Sequence, residues 1–126
     1  MPLVRVSLRE GKSPEFHAAL MEQIYLAMRE AIGSPENDRF ATITEHSESC
    51  FNTSGDYAGI DRSSDLVIIQ ITMLGGRTVD QKKALYAALA DRLSKDPGVR
   101  KEDVFVNLVE VAKEDWSLGN GIAQYA

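Results

Sequence analysis

The second residue is the one best suited to do chemistry. The chain opens Met1-Pro2-Leu3-Val4-Arg5-Val6. Pro2 has a small side chain, which suits removal of Met1, and that removal would leave a secondary amine as the N-terminus. Ordinary α-amino groups titrate at roughly 7.7–8.0. Proline's amine is more basic, but a low-dielectric pocket disfavours its charged form and lowers its pKa. A neutral amine near pH 7 can act as a general base or attack a carbonyl. A retained Met1 would leave an amide nitrogen with no basic lone pair. The structural alternative for Pro2 is a rigid residue ahead of an edge strand.

The other reactive residue types give less. His17 and His46 lack metal-ligand spacing, and no cysteine or carboxylate grouping completes a site. Cys50 is the only cysteine, so one chain can form neither a disulfide nor a cysteine-based zinc site. No neighbour of Cys50 looks like a base to activate it. Gly75-Gly76 lacks the glycine pattern of a nucleotide-binding loop. No metal and no organic cofactor is expected.

The elements that must position Pro2 come from a duplication. Displaced by 65 residues, Gly11-Lys12-Ser13 falls on Gly76-Arg77-Thr78, Ala19-Leu20 on Ala84-Leu85, Asp38 on Asp103, Phe40 on Phe105 and Glu45 on Glu110. Two copies make no solenoid; they read as two β-α-β units, with pseudo-repeats over about 2–46 and 65–112. In the first copy Leu3 to Leu8 alternates as a strand. Ser13, Pro14 and Glu15 then open a helix as N-cap oxygen, first-turn proline and acidic first turn. Phe16, Leu20, Ile24, Met28 and Ile32 give the helix one apolar face. Gly33 and Pro35 end it, and 40–45 forms the second strand. In the second copy 66–73 has the density of a buried strand. Thr78 and Gln81 form a capping box. Val79, Leu85, Tyr86, Leu89 and Leu93 are expected to face inward, Pro97-Gly98 ends the helix, and 104–111 is the fourth strand.

The 126 residues make one domain, 1–126, with 44% hydrophobic and 26% charged residues, as in a soluble globular protein. Nineteen acids against 14 bases give a net charge of −5, which offers nucleic acid no basic face. No apolar run reaches the ~18 residues of a membrane span. No signal core follows the N-terminus, and a cytoplasmic location is the default. Right-handed β-α-β crossovers place both helices on one face of a four-stranded sheet. The opposite face would be bare and would need a partner, so oligomerisation is expected. The stretch 47–64 lies outside the duplication and would hold a short hairpin or a loop over a site. The tail 115–126, with Trp116, Leu118 and Tyr125, has the composition of a segment that docks.

These residues together resemble the tautomerase superfamily, and within it the malonate semialdehyde decarboxylase branch and its tautomerase-like relatives. The resemblance is carried by Pro2 to Leu8, by Pro35-Glu36-Asn37-Asp38-Arg39-Phe40, and by Asp61-Arg62-Ser63-Ser64. Gly76-Arg77-Thr78 with Gln81-Lys82, and Asn107-Leu108-Val109-Glu110 running to Asp115-Trp116-Ser117, complete it. It implies an α/β (α+β) fold of duplicated β-α-β units, assembled as a homotrimer. It implies that Pro2 is the catalytic proline and that Asp38 orients or activates a water near it. Arg77 would grip a substrate carboxylate and Trp116 would form an aromatic wall. The decarboxylase pattern has two arginines flanking a proline before the second helix; here that turn reads Leu74-Gly75-Gly76-Arg77, leaving only the second. The implied activity is cofactor-independent proton transfer on small carboxylated carbonyl or enol compounds, or hydration and decarboxylation of the branch's type. The alternative is a non-catalytic trimer that serves as scaffold or small-ligand binder.

Each assignment has a structural counterpart. Lys12, the copy of Arg77, is also basic; Asp38, like its copy Asp103, would suit a loop or cap; Trp116 would suit packing. Arg39 and Arg62 would be solvated or ion-paired, or reach a carboxylate across a subunit boundary. Arg5 shares the strand side of Leu3, where a site role is open.

Overall fold

Alternating side chains make β1 (Leu3–Arg9) a two-faced strand: Val4, Val6 and Leu8 are buried, while Arg5 is exposed. The computed structural model describes residues 2–126. Met1, whose removal the amine chemistry requires, lies outside the described residues.

α1 (Pro14–Ile32) starts as its sequence directs, with the Ser13 side chain accepting from the Phe16 N–H at 3.1 Å and proline in the first turn. It stops at Gly33, whose left-handed φ of 68° lets its N–H return to the Met28 carbonyl. β2 (Ala41–His46) pairs parallel with β1, and β3 (Val67–Leu74) antiparallel with it. α2 (Val79–Lys95) is opened by the Thr78–Gln81 capping box, and β4 (Val104–Val111) closes the second unit parallel to β3. The sheet order is β2-β1-β3-β4. The chain is therefore two β-α-β units joined by an antiparallel pair of first strands.

The core lies between the helices and one sheet face. Leu20, Ile24, Ala27 and Met28 of α1 and Leu85, Leu89 and Leu93 of α2 cover Val4, Val6, Ile69, Ile71 and Met73. Truncating one of these leucines to alanine costs roughly 2–5 kcal/mol, the lost transfer energy plus the cavity.

Four expectations are corrected. Val79 (67% exposed) and Tyr86 (39%) do not join the buried face of α2. At about 100° per residue they sit roughly 120° and 100° round the helix from Leu85. The second and third strands begin one residue later than expected, at Ala41 and Val67. Of the two forms expected for 47–64 the hairpin does not occur; the stretch is a loop with two short 3-10 turns, Glu48–Cys50 and Tyr57–Gly59. Arg9 ties it down, donating to Glu48 at 2.7 Å and to the Ser64 carbonyl at 3.1 Å above buried Phe51. The uncovered sheet face is mixed rather than apolar: Leu3, Ile68, Phe105 and Val109 alternate with Arg5, Thr42, Gln70 and Asn107, and Gln70 donates to Asn107 at 3.1 Å.

Candidate active site

Strand register decides which residues can meet. Val4 stands beside Ala41, Leu3 beside Thr72, and Leu74 beside Val111. One end of the sheet thus collects the starts of β1 and β2 and the ends of β3 and β4. Pro2 precedes β1, Asp38 precedes β2, Arg77 follows β3 and Trp116 follows β4. Residues 75 positions apart or more in sequence reach the same edge.

Pro2 is buried at this edge. The Val4 N–H donates to the Phe40 carbonyl at 2.9 Å, which draws the 35–40 loop against the first residues of the chain. Continuing the β1–β2 register toward the N-terminus brings Pro2 level with Arg39, next to Asp38. Asp38 is 9% exposed, and its N–H donates to the Pro35 carbonyl at 3.2 Å. Asn37 before it has φ 67°, in the left-handed region that asparagine tolerates better than most side chains.

Arg77 is half-buried and donates one guanidinium N–H to the Leu74 carbonyl at 2.8 Å. A guanidinium carries five N–H donors, so that bond leaves others for an anion. The Gly75-Gly76 turn beside it is clasped from β4. The Gly76 N–H donates to Glu110 Oε2 at 3.2 Å, and Lys82 of α2 pairs with the same carboxylate. The Lys82 hydrogen bond and charge, assisted by the Gly76 N–H and Arg77, hold the Glu110 carboxyl below its ordinary pKa against the opposing effect of burial. A Cβ at position 75 would lie 2.9 Å from Glu110 Oε2. The turn that lacks the first arginine is therefore closed around glycine.

After β4 the 3-10 turn Lys113–Asp115 is closed by the Asp115 carboxylate, which accepts from the Ala112 N–H at 2.9 Å. Trp116 then runs extended and lines a cleft of about 130 Å³ with Leu3, Phe40, Ser117 and Leu118. Its indole Nε1 is buried without a hydrogen-bond partner among the described residues. Leu3 follows Pro2 directly and Phe40 lies two residues after Asp38, so the cleft opens at the same edge of the sheet.

The remaining candidates are engaged in other contacts or lie elsewhere. Arg39 pairs with Glu22 at 2.6 Å and lies 3.7 Å over the Tyr25 ring. Arg62 donates to the Tyr57 carbonyl at 2.7 Å and belongs to the 47–64 loop. Arg5 is exposed on the uncovered sheet face. His17 Nε2 lies 3.3 Å from Glu45, His46 packs on Phe51, and Cys50 is exposed at the far end of the sheet from Pro2. The Ser47 and Ser49 side chains draw the Cys50 thiol below its ordinary pKa. Asp103, the copy of Asp38, is fully buried and accepts from the N–H and hydroxyl of Ser63 at 2.7 and 2.5 Å. Sequence reasoning missed Phe40 as a cleft wall and Glu110 as the clasp. The signal for the second was the Glu45–Glu110 match itself.

Fold and edge together define a duplicated β-α-β protein whose loops and tail leave the sheet at the edge where Pro2 enters it. The chain belongs to the tautomerase family. Family models described as tautomerase enzyme match residues 38–119 and 2–59. "Probable tautomerase YusQ" of Bacillus subtilis is 42% identical over 124 residues, covering 98% of each chain. A second Bacillus subtilis protein, "Probable tautomerase YrdN", is 32% identical over 125 residues, 99% of this chain and 96% of that one. Among solved structures, FG41 malonate semialdehyde decarboxylase inhibited by 3-bromopropiolate superposes with a TM-score of 0.91 at 35% identity, over 98% of this chain and 93% of that one. Malonate semialdehyde decarboxylase, crystallised in wild-type, mutant and inactivated forms to explain decarboxylase and hydratase activities, gives 0.92 at 32% identity, over 98% and 95%. A fused 4-OT symmetric trimer gives 0.79 at 27% identity, over 98% and 97%.

Proposed function

We propose that this chain is an enzyme that moves a proton on small carboxylated carbonyl or enol compounds, with the amine of Pro2 as the working group once Met1 is removed. Burial of Pro2 disfavours a charged amine and so favours a base. The neutral amine takes a proton from the enol oxygen or from the carbon α to the carbonyl and returns it to the other position. Arg77 anchors the substrate carboxylate and stabilises enolate charge as it develops. Asp38 orients a water or the amine itself, and Trp116 walls the cleft. The protein works as a homotrimer, as the fused 4-OT neighbour does, with the mixed sheet face turned toward the other subunits.

The observation that carries this reading is the convergence of Pro2, Asp38, Arg77 and Trp116 on one sheet edge from four separate segments. Two alternatives rest on the Gly75-Gly76 turn. Its single arginine disfavours decarboxylation and hydration of the kind the malonate semialdehyde decarboxylases perform, since a single charge-assisted hydrogen bond is worth roughly 1.5–3 kcal/mol. The same turn favours the non-catalytic trimer, a ligand binder that keeps the fold.

Intact mass of the native-start protein, with tautomerisation of phenylpyruvate and 2-hydroxymuconate by wild type and Pro2→Ala, tests the reading. Loss of the methionine mass, with activity that collapses in Pro2→Ala, supports it. Retained methionine, or activity indifferent to Pro2, promotes the non-catalytic trimer.

A further inference from the structure

The geometry points to Tyr25 as the positioning residue for Asp38, gripping the loop on both sides of that carboxylate. The inference deepens the proposed function, because it rests on a role for Asp38 at the reacting edge. Tyr25 lies in α1 and is 6% exposed. Its hydroxyl oxygen accepts from the Asn37 N–H at 3.0 Å and from an Arg29 guanidinium N–H at 3.2 Å. Asn37 directly precedes Asp38 and holds the left-handed φ of 67°, a conformation that needs support from its surroundings. Directly after Asp38, Arg39 lays its guanidinium 3.7 Å over the same ring and pairs with Glu22. One side chain thus holds the Asn37 N–H on one side of Asp38 and stacks under the Arg39 guanidinium on the other. The Arg29 hydrogen bond, with that of Asn37, draws the Tyr25 hydroxyl below its ordinary pKa.

The duplication separates this device from general architecture. A feature the fold needs recurs at an offset of 65, as the carboxylate clasp does: His17–Glu45 in one half is Lys82–Glu110 in the other. The Tyr25 device does not recur. Tyr25, Arg29 and Arg39 correspond to Ala90, Ser94 and Val104. Asp103 is held instead by Ser63, from the chain entering β3. Only the half that begins at Pro2 carries the phenol, and there the support for the aspartate loop comes from the helix.

Tyr25→Phe keeps the ring beneath Arg39 and removes the acceptor. With phenylpyruvate as probe, kcat is expected to fall about tenfold or more, while KM and Tm change little. Added to Asp38→Asn, the same substitution is expected to cost less than twofold, because it acts through that carboxylate. Amide exchange at Asn37 is expected to quicken. Multiplicative losses in the double variant, or a lowered Tm with kcat intact, would overturn the inference. If Pro2→Ala and Asp38→Asn themselves leave turnover unchanged, the functional reading fails instead. In that case quickened exchange at Asn37 still supports Tyr25 as the loop's anchor, and unchanged protection overturns it.

Discussion

Lys82 in α2 and Glu110 in β4 form an ion pair where His17 and Glu45, 65 residues earlier, meet at 3.3 Å. In both halves the carboxylate near the end of the second strand also accepts a backbone N–H from the turn before the helix, from Lys12 at 3.3 Å and from Gly76 at 3.2 Å. This clasp recurs because each unit must fold its strand-to-helix turn back over the sheet. In the second half it places Glu110 Oε2 2.9 Å from where a Cβ at position 75 would lie, so a side chain there must displace that carboxylate.

Gly75→Ala should therefore destabilise the protein. The added Cβ meets Glu110 Oε2 at 2.9 Å, and that carboxylate is tethered by Lys82 and cannot yield freely. Overpacking a core costs roughly 1–3 kcal/mol; here the clashing atom is the end of a half-exposed side chain, so the cost is set at about 1 kcal/mol or less by how far Lys82 restrains it. Thermal melts of the single and double variants check it: in a Glu110→Ala background the same change should cost clearly less, and equal costs in both backgrounds would refute the clasp.

Acid should loosen the same corner. The Glu110 pKa is depressed in the folded state relative to its ordinary value of 4.5, chiefly by Lys82. Its contribution is therefore present above about pH 4.5 and lost as pH falls through the lower folded value. Glu110→Gln should flatten the decline of Tm between roughly pH 5 and pH 3, with little change in the shape of the curve above pH 6. A wild-type acid limb identical to that of the variant would remove Glu110 from the explanation.

Arg77→Ala should weaken carboxylated substrates selectively. Loss of one charge-assisted contact, worth roughly 1.5–3 kcal/mol, corresponds to about a 10- to 150-fold fall in kcat/KM. An ester analogue without the carboxylate should lose far less. Parallel kinetics with acid and ester separate anchoring from a general disturbance of the turn.

The rate should rise with pH through the titration of the Pro2 amine, since base chemistry needs it unprotonated. A rate that falls over that range would instead mark the protonated amine as the working acid. A kcat/KM profile on Met1-free protein reads the sign directly.

Light scattering should report a trimer, three chains of 13.9 kDa or about 42 kDa. Phe105→Asp, on the uncovered sheet face, should lower that mass without unfolding the chain, because Phe105 is 45% exposed and outside the core.

Much of this protein can be read from its residues in order. The 65-residue duplication, the Ser13 and Thr78 caps, the Gly33 stop and the bounds of β4 follow from local rules, because capping and periodicity depend on neighbours within a turn or two. Membership of the tautomerase family follows from Pro2 and the motifs around Asp38, Arg77 and Trp116. Pairing between strands is a non-local matter that no local pattern encodes. Only the tertiary structure decided that β1 runs antiparallel to β3, and so gathers those four residues on one edge. It also decided that Glu110 closes the glycine turn, that Val79 and Tyr86 face outward, and that Tyr25 holds the Asp38 loop. Those outcomes depend on side chains brought together from distant segments, where packing geometry settles which neighbour each one meets.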